Sequence, residues 1–231
     1  MTKNVFEQAL SPSNHNRPVP FWSWNDKLES DECRHQIDLM HGQGIGGFFM
    51  HARGGLHTEY LSDEWFGIVK DCVRKAGEHG MNAWAYDENG WPSGFGGGLV
   101  NGKGVFYQQK YLRYKNTRDA AEANSIANRI AVFTADGKPV PEGRELDEKG
   151  EYLVFYYQVN PYYVDTLDGR VIAEFLSSTH QQYYSRLTPE ERRGMRGFFT
   201  DEPQISRDGI PWSLILAEEY GRRFGEDLLD R

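Results

Sequence analysis

Three short stretches of this sequence carry residue types that could do chemistry. In Asp87-Glu88-Asn89-Gly90-Trp91-Pro92-Ser93-Gly94, two carboxylates leave an apolar run and a tryptophan follows on a turn rich in Gly and Pro. A planar indole beside carboxylates suits a polyhydroxylated ring. The apolar ring face packs on C–H groups while the acidic oxygens accept from hydroxyls. A capped turn with a core tryptophan is the plainer alternative. In Thr200-Asp201-Glu202-Pro203, a glutamate stands at the end of another apolar run, just ahead of proline. A carboxyl placed there could serve as a general acid if its surroundings raise its pKa; an N-capping carboxylate is the alternative. His51-Ala52-Arg53-Gly54-Gly55 offers a neutral donor and a cation for a hydroxyl or a carboxylate, or else a structural ion pair. Trp22 and Trp24 lie two apart in one run and so face the same side. Trp24, nearer the run's end, is the one placed to touch a ligand.

Other patterns are decoys. Gly42-Gln43-Gly44-Ile45-Gly46-Gly47 matches the dinucleotide fingerprint by letter, but it follows a helical stripe and opens a strand, the reverse of the required order. It reads as a helix stop with close backbone packing. His51 and His57 lack zinc spacing, and no paired-cysteine or HExxH pattern accompanies them. Cys33 and Cys72 fall on apolar helical stripes and read as small core residues.

These candidates must be held by regular elements. Val19–Trp24, Ile45–His51 and Met81–Asp87 have strand length and composition. Between them run two helical patterns. Ser30 reads as the N-cap of the first, with Cys33, Ile37 and Met40 on one face. Ser62 opens the second, with Trp65, Ile68, Val69, Cys72, Val73 and Ala76 at helical spacing. Strand–helix alternation at this spacing implies parallel strands. From residue 104 to 160 the chain turns to aromatic and β-branched runs, with a hairpin turn at Asp136-Gly137. Tyr162–Asp165 then reads as a fourth strand, Val171–Thr179 as a helix, and Met195–Asp201 as a fifth strand. Pro211 opens a last helix carrying Trp212, Ile215, Leu216 and Tyr220.

Polar residues follow nearly every strand: Asn25, His51, Asp87 with Glu88, Asp165, and Asp201 with Glu202. A barrel builds its active face that way. The expected fold is therefore α/β: a partial (β/α)8 barrel of about five βα units with a β-rich insertion after the third strand. Residues 1–103 would hold three units, 104–160 the insertion, and 161–231 the fourth and fifth units. Closure would need on the order of 100 further residues. The chain is thus expected to stop short of closure, and its open sheet edges could drive self-association.

Composition excludes several classes. The 231 residues carry 34 acidic against 26 basic side chains, a net charge of −8. That disfavours nucleic-acid binding, which calls for a basic face. No apolar run approaches the ~20 residues that span a bilayer. Residues 1–17 lack an apolar signal segment. The sequence as written therefore reads as cytoplasmic, or as exported or periplasmic if the amino terminus is incomplete.

Taken together, Pro20–Asn25, Gly46–Arg53, Tyr86–Gly94 and Phe199–Pro203 resemble the amino-terminal part of glycoside hydrolase family 106, the α-L-rhamnosidases, from about residue 18 onward. The resemblance implies a (β/α)8 catalytic barrel and inverting hydrolysis of terminal α-L-rhamnosides, assisted by calcium. It places the general acid at Glu202. It makes His51, Arg53, Asp87, Glu88, Trp91, Trp24 and Asp201 candidates for binding a rhamnose-containing glycan or glycoside. It leaves the calcium ligands and the catalytic base open: family members are several times longer, and the base is expected from a later strand. The rival expectation is a non-catalytic carbohydrate-binding or assembly module that keeps the sugar pocket. A weaker one is a metal-dependent hydrolase using His51 and Asp201.

Overall fold

The computed structural model describes residues 5–230. Met1–Asn4 of the polar leading segment and Arg231 lie outside the described residues. In chain order the elements are α1 (Val5–Leu10), β1 (Phe21–Trp24), α2 (Ser30–Gly42), β2 (Gly47–Ala52), α3 (Asp63–Glu78), β3 (Asn82–Asn89), β4 (Gln108–Thr117), α4 (Ala120–Ser125) and β5 (Arg129–Thr134). There follow β6 (Tyr152–Val164), α5 (Gly169–Ser178), α6 (His180–Arg186), α7 (Pro189–Gly194), β7 (Met195–Phe199), β8 (Ile210–Trp212) and α8 (Leu216–Phe224). The chain divides into two compact units. One holds the chain as far as Gly97 with Phe175–Pro203, the other Gly98–Glu174 with Gln204 onward.

The first unit is built on a four-stranded parallel sheet in the order β1-β2-β3-β7. One face is covered by α2 and α3, and here the stripes read from the sequence become the core. Ile37, Trp65, Val69, Cys72 and Ala76 pack with Phe48, Met50, Ala83 and Ala85. The Ser62 hydroxyl accepts from the Trp65 amide and starts α3. Cys33 and Cys72 are both buried thiols within this core. Trp22 and Trp24 sit on the same face, as their spacing requires. It is the helix face: Trp24 is buried edge-on against Trp65 at 5.0 Å. Trp24 therefore packs the core rather than facing a ligand.

The other face of this sheet is a layer of rings from Phe21, Phe49, Tyr86 and Phe199. Phe21 of β1 meets Phe199 of β7 at 4.8 Å, so the sheet curls until rings from its two outer strands touch. No closed barrel forms among the described residues, and β1 and β7 end the sheet. Four parallel strands are present rather than five, with β7 as the fourth.

The glycine run before β2 is explained by close approach. A Cβ at Gly46 would lie 2.2 Å from the Asn14 carbonyl oxygen, and one at Gly47 would lie 2.4 Å from that of Asn82. Neither acceptor can move without its strand or turn. Gly47→Ala is expected to lower stability by about 1–3 kcal/mol, read from the midpoint of denaturant unfolding. An unchanged midpoint would show that β2 and β3 can separate there.

The second unit is an antiparallel sheet in the order β5-β6-β4-β8. Its small core gathers Ala120, Ala123, Val132, Leu146, Tyr152 and Val154. The turn at Asp136-Gly137 is tight, the Gly137 amide donating to Thr134 O at 2.8 Å. Of Tyr162–Asp165, expected as a barrel strand, Tyr162–Val164 is instead the end of β6 and Asp165 follows it. The register slips between Gln108↔Val164 and Gln109↔Asn160, and Pro161, which has no N–H to give a ladder, lies in that irregularity. The Asn160-Pro161 pair looks like a break in sequence but is a bulge in one long strand. Asp165 belongs to the second unit, where it pairs with the buried Lys110 ammonium at 3.3 Å. Pro211 sits in the short edge strand β8 opposite Tyr111, and the last helix begins only at Leu216.

Candidate functional site

The carboxyl ends of β2, β3 and β7 bring most of the expected residues into the first unit. Asp87 and Glu88, consecutive on β3, are 2% and 0% exposed. The Asp87 Oδ1 accepts from the Ser93 hydroxyl at 2.8 Å and its Oδ2 from the Thr200 hydroxyl at 2.9 Å. Burial raises its pKa above the ordinary carboxylate value. The two oxygens of Glu88 accept from the amides of Gly94 and Gly96. Gly94 and Gly96 hold φ of +110° and +63°, open to glycine at little cost, and this turns their N–H groups inward. Burial, and then the neighbouring Asp87 charge, push Glu88 up to about 8.

His51, at the end of β2, is buried and stacks on Tyr86 at 3.6 Å. Burial lowers its pKa, so the ring is neutral at pH 7. The Nε2 atom lies 3.2 Å from the Gly90 carbonyl oxygen, which can only accept, so Nε2 carries the proton. Nδ1 then presents a lone pair with no partner among the described residues. Arg53, two residues on, is exposed. Trp91 is 46% exposed on the loop after β3.

Beyond β7 the chain runs Thr200-Asp201-Glu202-Pro203. Asp201 is half-buried, and its backbone is paired with Ser93. The Ser93 amide donates to Asp201 O at 2.9 Å, and the Asp201 amide donates to Ser93 Oγ at 2.8 Å. Glu202 is exposed and holds φ of +46°. A glutamate rarely takes that left-handed conformation, and a following proline narrows the choice further. Strain of this kind costs on the order of 1–3 kcal/mol and gathers at functional sites.

Trp24 is thus apart from the site, in the helix-side core. Ser93, Thr200 and Tyr86 belong to it but were read in sequence only as flanks of acidic residues. Each is a hydroxyl beside one of the carboxylates, which is the signal that could have marked them. The Ser93 hydroxyl has one proton and three neighbours. The Asp87 carboxylate at 2.8 Å takes it, so the Tyr86 hydroxyl at 3.3 Å is left to donate.

Calcium wants six to eight oxygen ligands. Among the described residues no three His, Cys, Asp or Glu side chains gather to hold a metal. Asp87 and Glu88 already accept from hydroxyl and amide donors. No side chains among the described residues are assigned to the calcium that the family resemblance implies. No helix among the described residues is long and apolar enough to cross a membrane.

No family model and no curated protein matches the chain. Among solved structures, the chain is similar in fold to part of a rhamnosidase. One such neighbour is the rhamnosidase from Novosphingobium sp. PP1Y, at a TM-score of 0.62 and 12% identity, covering 98% of this chain and 42% of that one. At that identity the likeness is one of fold. This chain spans less than half of that protein's length. A Bacillus cereus protein related to NIF3, at a TM-score of 0.20 and 12% identity over 72% of this chain and 49% of that one, has no bearing on the fold.

Proposed function

We propose that this chain belongs to a glycoside hydrolase acting on terminal α-L-rhamnosides, with Glu202 as the general acid of an inverting reaction. The observation that carries this reading is Glu202 itself. It is an exposed carboxyl on a strained strand-end turn, in a chain with a rhamnosidase-like fold. In this mechanism the acid protonates the departing glycosidic oxygen while a second carboxylate, about 6.5–9.5 Å away, activates a water on the opposite face. The exposed Trp91 indole offers a flat apolar surface to the sugar ring, and the Arg53 guanidinium offers donors to its hydroxyls.

One observation favours a second reading, a carbohydrate-binding module without turnover. Asp87 and Glu88, the carboxylates at the end of β3, are buried and hydrogen-bonded, so neither can activate a water in this arrangement. The test supplies alkyl and aryl α-L-rhamnosides to the natural polypeptide and follows both the released sugar and its anomeric form. Calorimetry with L-rhamnose, with and without calcium, runs beside it. Release of β-L-rhamnose first supports the inverting hydrolase. Heat of binding without release supports the module, and neither signal would remove both readings.

A further inference from the structure

Asp87 stands where a sugar-binding carboxylate would be wanted, yet both of its oxygens are engaged by protein hydroxyls. Ser93 is 2% exposed and joins two loops at once. Its hydroxyl donates to Asp87 on β3, its oxygen receives the Asp201 amide, and its own amide returns to Asp201 O. Thr200, at the end of β7, closes the ring on the other Asp87 oxygen. The chain segment immediately before Glu202 is therefore tied to Asp87 and to the loop after β3 by three hydrogen bonds, and a fourth joins Ser93 of that loop to Asp87. The carboxylate orients the arrangement. Because Asp87 takes the Ser93 proton, the lone pairs of Ser93 are left to face the Asp201 N–H.

We infer that Asp87, Ser93 and Thr200 form a positioning clamp that fixes the turn carrying Glu202, and that Asp87 acts through this clamp rather than by touching the sugar. The inference rests on the reading of Glu202 as general acid. A general acid must hold its carboxyl within hydrogen-bond reach of the leaving oxygen. Glu202 cannot be placed by its own contacts, being exposed at a left-handed φ. The adjacent Asp201 backbone is what the clamp holds.

The test uses three variants of the natural polypeptide. Ser93→Ala removes the central hydroxyl, Thr200→Val removes the second donor at nearly constant shape, and Thr200→Ser keeps it. On an alkyl rhamnoside, Ser93→Ala and Thr200→Val are expected to lower kcat by about 10²-fold, the cost of a reacting group displaced by about 1 Å. KM is expected to hold, and Thr200→Ser to retain the wild-type rate. Hydrogen exchange at the Asp201 amide should quicken by up to about 10-fold in Ser93→Ala, the loss of one hydrogen bond.

Unchanged protection of that amide overturns the clamp, whatever the activity. Faster exchange with kcat intact overturns its role in positioning, as does a rise in KM with kcat unchanged. If wild-type protein hydrolyses no rhamnoside, the reading of Glu202 fails on its own. Faster exchange then still supports the clamp as a tie between the two loops and overturns only its link to catalysis.

Discussion

Replacing Glu202 by Gln is expected to slow hydrolysis of an alkyl rhamnoside by about 10²–10⁴-fold, the usual share of general acid catalysis. The loss should shrink sharply on an aryl rhamnoside whose leaving group departs without a proton. The two carboxyl oxygens become one oxygen and one amide, so the side chain keeps its size and loses only its acid. Because Glu202 is exposed, the unfolding midpoint should not move. Glu202→Gly sharpens the point. Glycine accepts φ of +46° at little cost, whereas other residues lose roughly 1–2 kcal/mol there. That variant should be at least as stable as the wild type and equally slow on the alkyl substrate. Stability held or gained while activity is lost is the pattern of strain kept for function. Equal losses of Glu202→Gln on both substrates would remove the acid assignment.

The helical stripes of the first unit were legible because their period is imposed by burial. Trp65 through Ala76 face one side in the sequence and one core in the structure. The strand ends were legible for the same reason, since apolar runs stop where polar residues begin. Three things were not. The face taken by Trp22 and Trp24 depends on which side the helices cover, and period two is silent on that. The unity of β6 was hidden by Pro161, because a bulge and a break use the same residue. The partition of the carboxylates was hidden because Asp87, Glu88 and Glu202 look alike as letters. Only the fold shows that Glu88 is wrapped by glycine amides, that Asp87 is bridged by two hydroxyls, and that Glu202 stands open.

That partition predicts a pH dependence of unusual sign. Glu88 ordinarily titrates near 4.5 and in the fold is pushed up to about 8. Below pH 4.5 the carboxyl is protonated in both folded and unfolded chains, and its contribution is fully present. Between 4.5 and about 8 the unfolded chain has given up the proton while the folded one keeps it. Stability therefore falls as pH rises, at about 1.4 kcal/mol per pH unit, on the order of 5 kcal/mol across the window. Asp87, raised by the same burial, adds to the fall. Surface carboxylates such as Asp38 and Glu122 are held low by Lys75 and Lys115, and their contribution is lost only on acidification below the ordinary carboxylate range. His51 and His180 oppose Glu88 within its own window. Burial lowers both, so they add stability as pH climbs through the lower part of it. The net curve mixes these effects, and Glu88→Gln separates them. The amide presents one oxygen to the glycine amides and an NH2 where the second oxygen stood. The variant should be weaker at pH 5, but it should lose stability less steeply than the wild type between pH 5 and 8.5. Denaturant unfolding of both proteins at four pH values across that range gives the difference directly. Parallel curves would mean that Glu88 is ionised in the fold and that its two amide bonds outweigh its burial.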